Sequence, residues 1–131
     1  MNRKVFLMLV SFVAFAIGFV TLFFPNEFVV IAKVAAPSET ANVFVCTVGV
    51  LLISFSVLNF LVRNHENSKT LQSIFIANLI LQLSLIPIDL MAYSAGTFTT
   101  LGSFVPNTIL HIILASGFSY YLIRMRSDFQ K

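Results

Sequence analysis

The chain has no tryptophan, a single cysteine, and only 10% charged residues in a length of 131. Each scarcity excludes something. With Cys46 alone there is no intrachain disulfide, no CxxC redox pair and no Cys/His metal spacing, so the residue reads as a small apolar side chain in a helix. So little charge, together with 58% apolar residues and a mean hydropathy of +0.95, excludes an ordinary soluble domain, in which about 25% of residues are charged. HExxH, GxSxG and Walker A patterns are missing, and no apolar run contains paired carboxylates. Their absence removes the common metalloprotease, hydrolase and nucleotide-binding chemistries. A proton-coupled pump needs acid groups spread through its spans, whereas Asp89 stands alone at the edge of one.

What the chain does have is long apolar runs. A helix needs about 20 mostly apolar residues to cross a hydrocarbon core of about 30 Å, and residues 5–24, 41–62, 71–91 and 107–125 meet that requirement. The expected fold is an all-α membrane protein, an antiparallel four-helix transmembrane bundle forming one domain over residues 1–131. Fifteen phenylalanines fit lipid-facing surfaces, and Tyr93, Tyr120 and Tyr121 fit a sparse interfacial belt.

A net charge of +3 invites a nucleic-acid reading until the charges are placed. Arg3 and Lys4 precede the first run, Arg63 and Lys69 lie between the second and third, and Arg124, Arg126 and Lys131 follow or end the fourth. Only Lys33 falls on the other side. Positive residues mark the cytoplasmic face, so both termini are expected in the cytoplasm of a bacterial inner membrane, with no role for nucleic acid. The "NRK" and "AFAIG" of the first run have the flavour of a signal peptide, but an apolar core of 20 residues exceeds the usual signal core of about 7 to 15, so the run is read as a span.

Between the first two spans, "FPNEFVVIAKVAAPSET" places Phe28, Ile31, Ala32 and Ala35 at helical spacing in a piece too short to cross. It reads as an interfacial helix on the outer surface, with Lys33 toward the headgroups and Ser38 or Thr40 capping the next span. "RNHENSKT" is a tight cytoplasmic turn. "AYSAGTFTTLGSFVP", residues 92–106, reads as an uncharged outer loop long enough to act as a lid, with Pro106 in the first turn of the fourth span.

Two constellations stand out. In the first span Ser11, Ala14, Gly18 and Thr21 fall on one face, a small-residue strip suited to close packing against another helix, a second copy or a partner membrane protein. Thr47 and Ser54 form a similar stripe in the second. In the third, Asn78, Gln82 and Asp89 lie within about 40° of one another and should face inward. Asp89 sits roughly 27 Å along that span and His111 about 6 Å into the antiparallel fourth, beside Asn107 one turn away, so the aspartate and histidine share a depth layer. Asp89 and His111 then form an ion pair or acid/base pair, or Asp89 anchors against the start of the fourth span beside Asn107.

The stretch "LFFPNEF", followed by "TVGVLLISFSVLNFLVRN", resembles the small four-span bacterial inner-membrane proteins of DoxX-like layout. Many of these carry an arginine just before the glycine of the second span, where this chain reads Val45, Cys46, Thr47, Val48, Gly49. The resemblance therefore implies an inner-membrane helical bundle and no charged site or activity. The functional expectation is a non-enzymatic binder of an apolar or amphipathic molecule, lipid- or quinone-like, in an outward-facing cleft lined by Asn78, Gln82, Asp89, Asn107 and His111, with no metal, cofactor or catalytic residue. The alternatives are an accessory subunit of a membrane complex and a minimal membrane-embedded isomerase or reductase built on Asp89 and His111.

Overall fold

A computed structural model describes residues 2–32 and 38–128. Among the described residues the chain is all-helical: α1 (Arg3–Phe23), α2 (Pro25–Ile31), α3 (Glu39–Val62), α4 (Lys69–Ser94) and α5 (Leu101–Asp128). Every helix except the short α2 is long and apolar enough to cross a membrane. The chain divides into two compact units, one of residues 1–64 and 96–99, the other of 65–95 and 100–131.

In the first unit, Asn2 caps α1 by accepting from the Lys4 N–H. Pro25 ends it, because a proline pushes the preceding residue out of helical geometry, and Phe24 has φ −134°, ψ 54°. Pro25 then opens α2 at a position where a missing N–H costs nothing. The expected interfacial helix is present as this one short element; Lys33 and Ala35 lie outside the described residues. Ser38, rather than Thr40, caps α3, its hydroxyl accepting from the Ala41 N–H at 3.1 Å.

α1 and α3 run antiparallel, as their contacts show: Ser56 Oγ donates to the Ser11 carbonyl at 2.7 Å, Gly18 faces Gly49, and Cys46 Sγ reaches the Leu22 carbonyl at 3.6 Å. The small strip is what allows this approach. A Cβ on Gly18 would stand 2.9 Å from the Gly49 carbonyl oxygen, and one on Gly49 would stand 2.8 Å from the Leu22 backbone nitrogen. Ser11, Gly18 and Thr21 are buried and Ala14 is half-buried. Thr47 and Ser54 do not form a second packing stripe: both are exposed and their hydroxyls donate to carbonyls four residues back in their own helix. The buried face of α3 is instead Gly49, Ser56 and Asn59.

In the second unit, Ser68 caps α4 through the Leu71 N–H. The helix continues through Pro87, although that residue has no N–H to give to the carbonyl four residues back. It ends at Ser94, with Ala95 as its C-cap, and Gly96 follows with a φ of +74°, in the left-handed region that glycine enters without a Cβ penalty. α5 begins at Leu101, not near Asn107 as the proline had implied. Thr100 and Ser103 start it, with the Thr100 N–H donating to Ser103 Oγ at 3.4 Å and the Ser103 hydroxyl to the Thr100 carbonyl at 2.7 Å. Pro106 therefore lies inside the helix. The expected lid is reduced to residues 95–100, too short for a covering flap, and Tyr93 and Phe104 stack across the helix ends at 4.8 Å between centroids.

α4 and α5 also run antiparallel. Phe75 meets Phe118 edge-on at 5.3 Å and Tyr121 at 6.4 Å. The buried face of α4 is Leu71, Phe75, Asn78, Gln82 and Asp89, a stripe at spacings of four, three, four and seven that passes from apolar to polar along the helix.

Candidate functional site

The polar end of that stripe is where α5 supplies its own polar residues. Asp89 is 4% exposed, and both of its oxygens are engaged. Asn107 Nδ2 donates to Oδ1 at 2.9 Å and Thr108 Oγ1 donates to Oδ2 at 3.0 Å. Thr108 also reaches the carbonyl of Phe104 one turn back, at 3.2 Å. One helical turn further along α5, His111 Nδ1 lies 2.7 Å from Gln82 Oε1. Its other ring nitrogen, Nε2, stands 3.9 Å from Asp89 Oδ2.

Four of the five residues singled out in sequence thus come together: Gln82, Asp89, Asn107 and His111 form one layer between α4 and α5. Asn78 lies one turn below Gln82 on the same buried face and donates to the Ile74 carbonyl at 2.9 Å. Thr108 belongs to the layer and was not anticipated. Its signal in the sequence is the three-residue spacing from Thr108 to His111, which puts the two on neighbouring positions of one side of α5. The start of α5 at Leu101, well before residue 107, also changes how Asp89 is held. The carboxylate meets two side chains from the body of α5 rather than the unpaired N–H groups of a helix N-terminus.

The layer's chemistry follows from its hydrogens. With Gln82 Oε1 accepting, Nδ1 carries the ring hydrogen, and a neutral imidazole then presents the lone pair of Nε2 to a carboxylate oxygen. At 3.9 Å neither a direct hydrogen bond nor a clash is present. Among the described residues no three His, Cys, Asp or Glu side chains converge to hold a metal ion. A separate groove of about 250 Å³ lies on the same unit but lower, lined by Leu79, Ser119, Leu122, Ile123 and Arg126.

Fold and layer together define a protein whose described residues are all-helical, with four helices long and apolar enough to cross a membrane and a buried carboxylate held by an asparagine and a threonine beside a histidine. No family model, curated protein or solved structure matches the chain.

Proposed function

We propose that the chain is a multi-pass inner-membrane protein, its four long helices packed as an antiparallel bundle with both termini cytoplasmic, which binds an amphipathic molecule of lipid or quinone type without transforming it. Membrane residence is supported by the apolar side chains left on the surface: Phe12, Phe44, Leu61, Met91 and Ile123 are each at least 67% exposed, and such a surface is stable against hydrocarbon rather than water. The DoxX-like layout belongs to this proposal as an architecture only.

The observation that carries the binding reading is the 3.9 Å separation of Asp89 Oδ2 and His111 Nε2. With the ring neutral and its hydrogen on Nδ1 toward Gln82, two acceptors face each other, at a place where the imidazole retains 12% side-chain exposure. A donor on a guest, an ammonium or a hydroxyl such as that of a lipid headgroup or of a quinone in its reduced form, supplies a hydrogen between them, while the guest's apolar body lies among the spans. The few polar groups orient it, as is general for sites that hold mostly apolar molecules.

Mass spectrometry of the organic extract of gently purified protein tests this. The parent protein is expected to retain a hydroxyl- or ammonium-bearing amphiphile, and His111→Ala and Asp89→Asn to lose it while remaining folded. If the parent retains nothing and both variants are merely destabilised, the layer is structural and the accessory-subunit reading replaces this one.

A further inference from the structure

The groove on α4 and α5 is not part of the Asp89 layer. Leu79 lies ten residues before Asp89 on α4, roughly 15 Å along the helix, and the other lining residues come from the last turns of α5. Ser119, Leu122, Ile123 and Arg126 follow one another at spacings of three, one and three, so they occupy one side of that helix. Ser119 contributes a short side chain that leaves room, and its hydroxyl makes no hydrogen bond among the described residues, whereas Ser73 and Ser116 donate to carbonyls four residues back.

Arg126 forms the groove's charged end. Among the described residues it is the arginine whose guanidinium has no partner. Arg124 donates to Tyr120 Oη at 3.2 Å, Arg63 lies over the Phe60 ring at 3.6 Å, and Arg3 is engaged. Because α4 and α5 are antiparallel, Lys69 at the start of α4 lies at the same end of the unit as Arg126. The groove thus begins at a basic end and runs roughly 10 Å toward Ser119 along apolar walls.

We propose that this groove is a binding site for an anionic phospholipid of the surrounding bilayer, with the headgroup phosphate on Arg126 and one acyl chain lying along Leu79, Leu122 and Ile123. The charge of the rim selects a phosphate, and a guanidinium matches it with paired donors. The length and apolar walls select a chain. A volume of about 250 Å³ is below that of pockets for drug-sized molecules, about 300–1,000 Å³, and suits the headgroup-proximal segment of a single chain. Basic pockets on the flanks of spanning helices at their positive ends hold acidic lipids for the same reasons. The inference rests on membrane residence but not on the Asp89 layer, so either site can fail without the other.

Thermal unfolding of the whole purified protein in neutral micelles tests it, with dioleoyl phosphatidylglycerol, dioleoyl phosphatidylcholine or glycerol 3-phosphate added. Phosphatidylglycerol is expected to raise the midpoint more than phosphatidylcholine, with glycerol 3-phosphate inert. Arg126→Gln should reduce the affinity for phosphatidylglycerol about fivefold, the effect of one basic residue near a lipid surface. Arg124→Gln should leave it unchanged. Ser119→Phe, which fills the groove and keeps the arginine, should abolish the effect of phosphatidylglycerol. Equal stabilisation by the two lipids, an equal loss in Arg124→Gln and Arg126→Gln, an unchanged response in Ser119→Phe, or stabilisation by glycerol 3-phosphate alone would each overturn the proposal. Membrane residence itself is read separately, from carbonate-resistant sedimentation of the same protein with membranes.

Discussion

Replacing Gly49 by alanine puts a methyl group where α1 already stands. The new Cβ would lie 2.8 Å from the Leu22 backbone nitrogen, 2.8 Å from Thr21 Oγ1 and 2.9 Å from the Gly18 carbonyl oxygen, against 3.4–4 Å for ordinary contact. Two of these atoms are backbone, and Thr21 cannot rotate away freely because its hydroxyl donates to the Ile17 and Gly18 carbonyls at 2.9 and 3.0 Å. The helices must therefore separate by roughly 0.6 Å at this point to reach even the near edge of normal contact. That movement lengthens the Cys46 Sγ contact to the Leu22 carbonyl, already 3.6 Å, and loosens the dispersion contacts around it. Overpacking of this kind costs about 1–3 kcal/mol, here the upper part of that range, about 2–3 kcal/mol, because two of the blocking atoms are backbone, while alanine returns up to about 1 kcal/mol of helix propensity. The expected net loss is about 1–2 kcal/mol, read from reversible unfolding in mixed micelles. Gly102→Ala is the matched control: its Cβ would find only Thr100 Oγ1 at 3.7 Å, so it should be neutral or slightly stabilising. A Gly49→Ala protein as stable as the parent would refute the claim that backbone approach at Gly18 and Gly49 holds α1 to α3.

Thr108→Val, which keeps shape but removes the hydroxyl bonded to Asp89 Oδ2, should cost about 1 kcal/mol. In an Asp89→Leu background the same change should cost little, and additive losses in that double-mutant cycle would show that the two side chains do not interact. Ser68→Ala removes the acceptor for the Leu71 N–H at the start of α4 and should lower stability by about 1 kcal/mol; the same loss from Ser73→Ala, whose hydroxyl bonds only within its helix, would contradict the cap. Reporters fused after Tyr93 should register outside and those after Asn64 inside, as the basic bias requires. An inside signal at Tyr93 would reverse the orientation and place the proposed guest site on the cytoplasmic side.

Much of this architecture is legible without coordinates because the relevant physics is local or one-dimensional. An apolar run of sufficient length forms a helix in any arrangement that must satisfy its backbone in hydrocarbon, so all four long helices were foreseeable and their expected cores agree with the observed ranges. The cap at Ser38, one of the two residues expected there, depends on a neighbour three residues away. The inward face of α4 was readable because Asn78, Gln82 and Asp89 are polar in a span and share a side. Proline misled at residue 106: the rule that it opens helices is sound, but the hydrogen bonds between Thr100 and Ser103 had already begun α5, and a proline near a helix start removes few bonds. The lid expectation failed with it.

What tertiary structure alone decided is partnership. Sequence spacing put Asp89 and His111 at one depth, but depth is a single coordinate, and the rotation of α5 about its own axis is set by how its side chains fit α4. That rotation brings Thr108 to Asp89 and His111 to Gln82, and leaves 3.9 Å between carboxylate and imidazole. Likewise the small strip of α1 announced close packing without saying against what; the answer within this chain is Gly49 and Ser56 of α3, where backbone and small side chains of both helices meet. The groove ending at Arg126 had no counterpart in the sequence reading, since an empty volume between two helices belongs to neither helix alone.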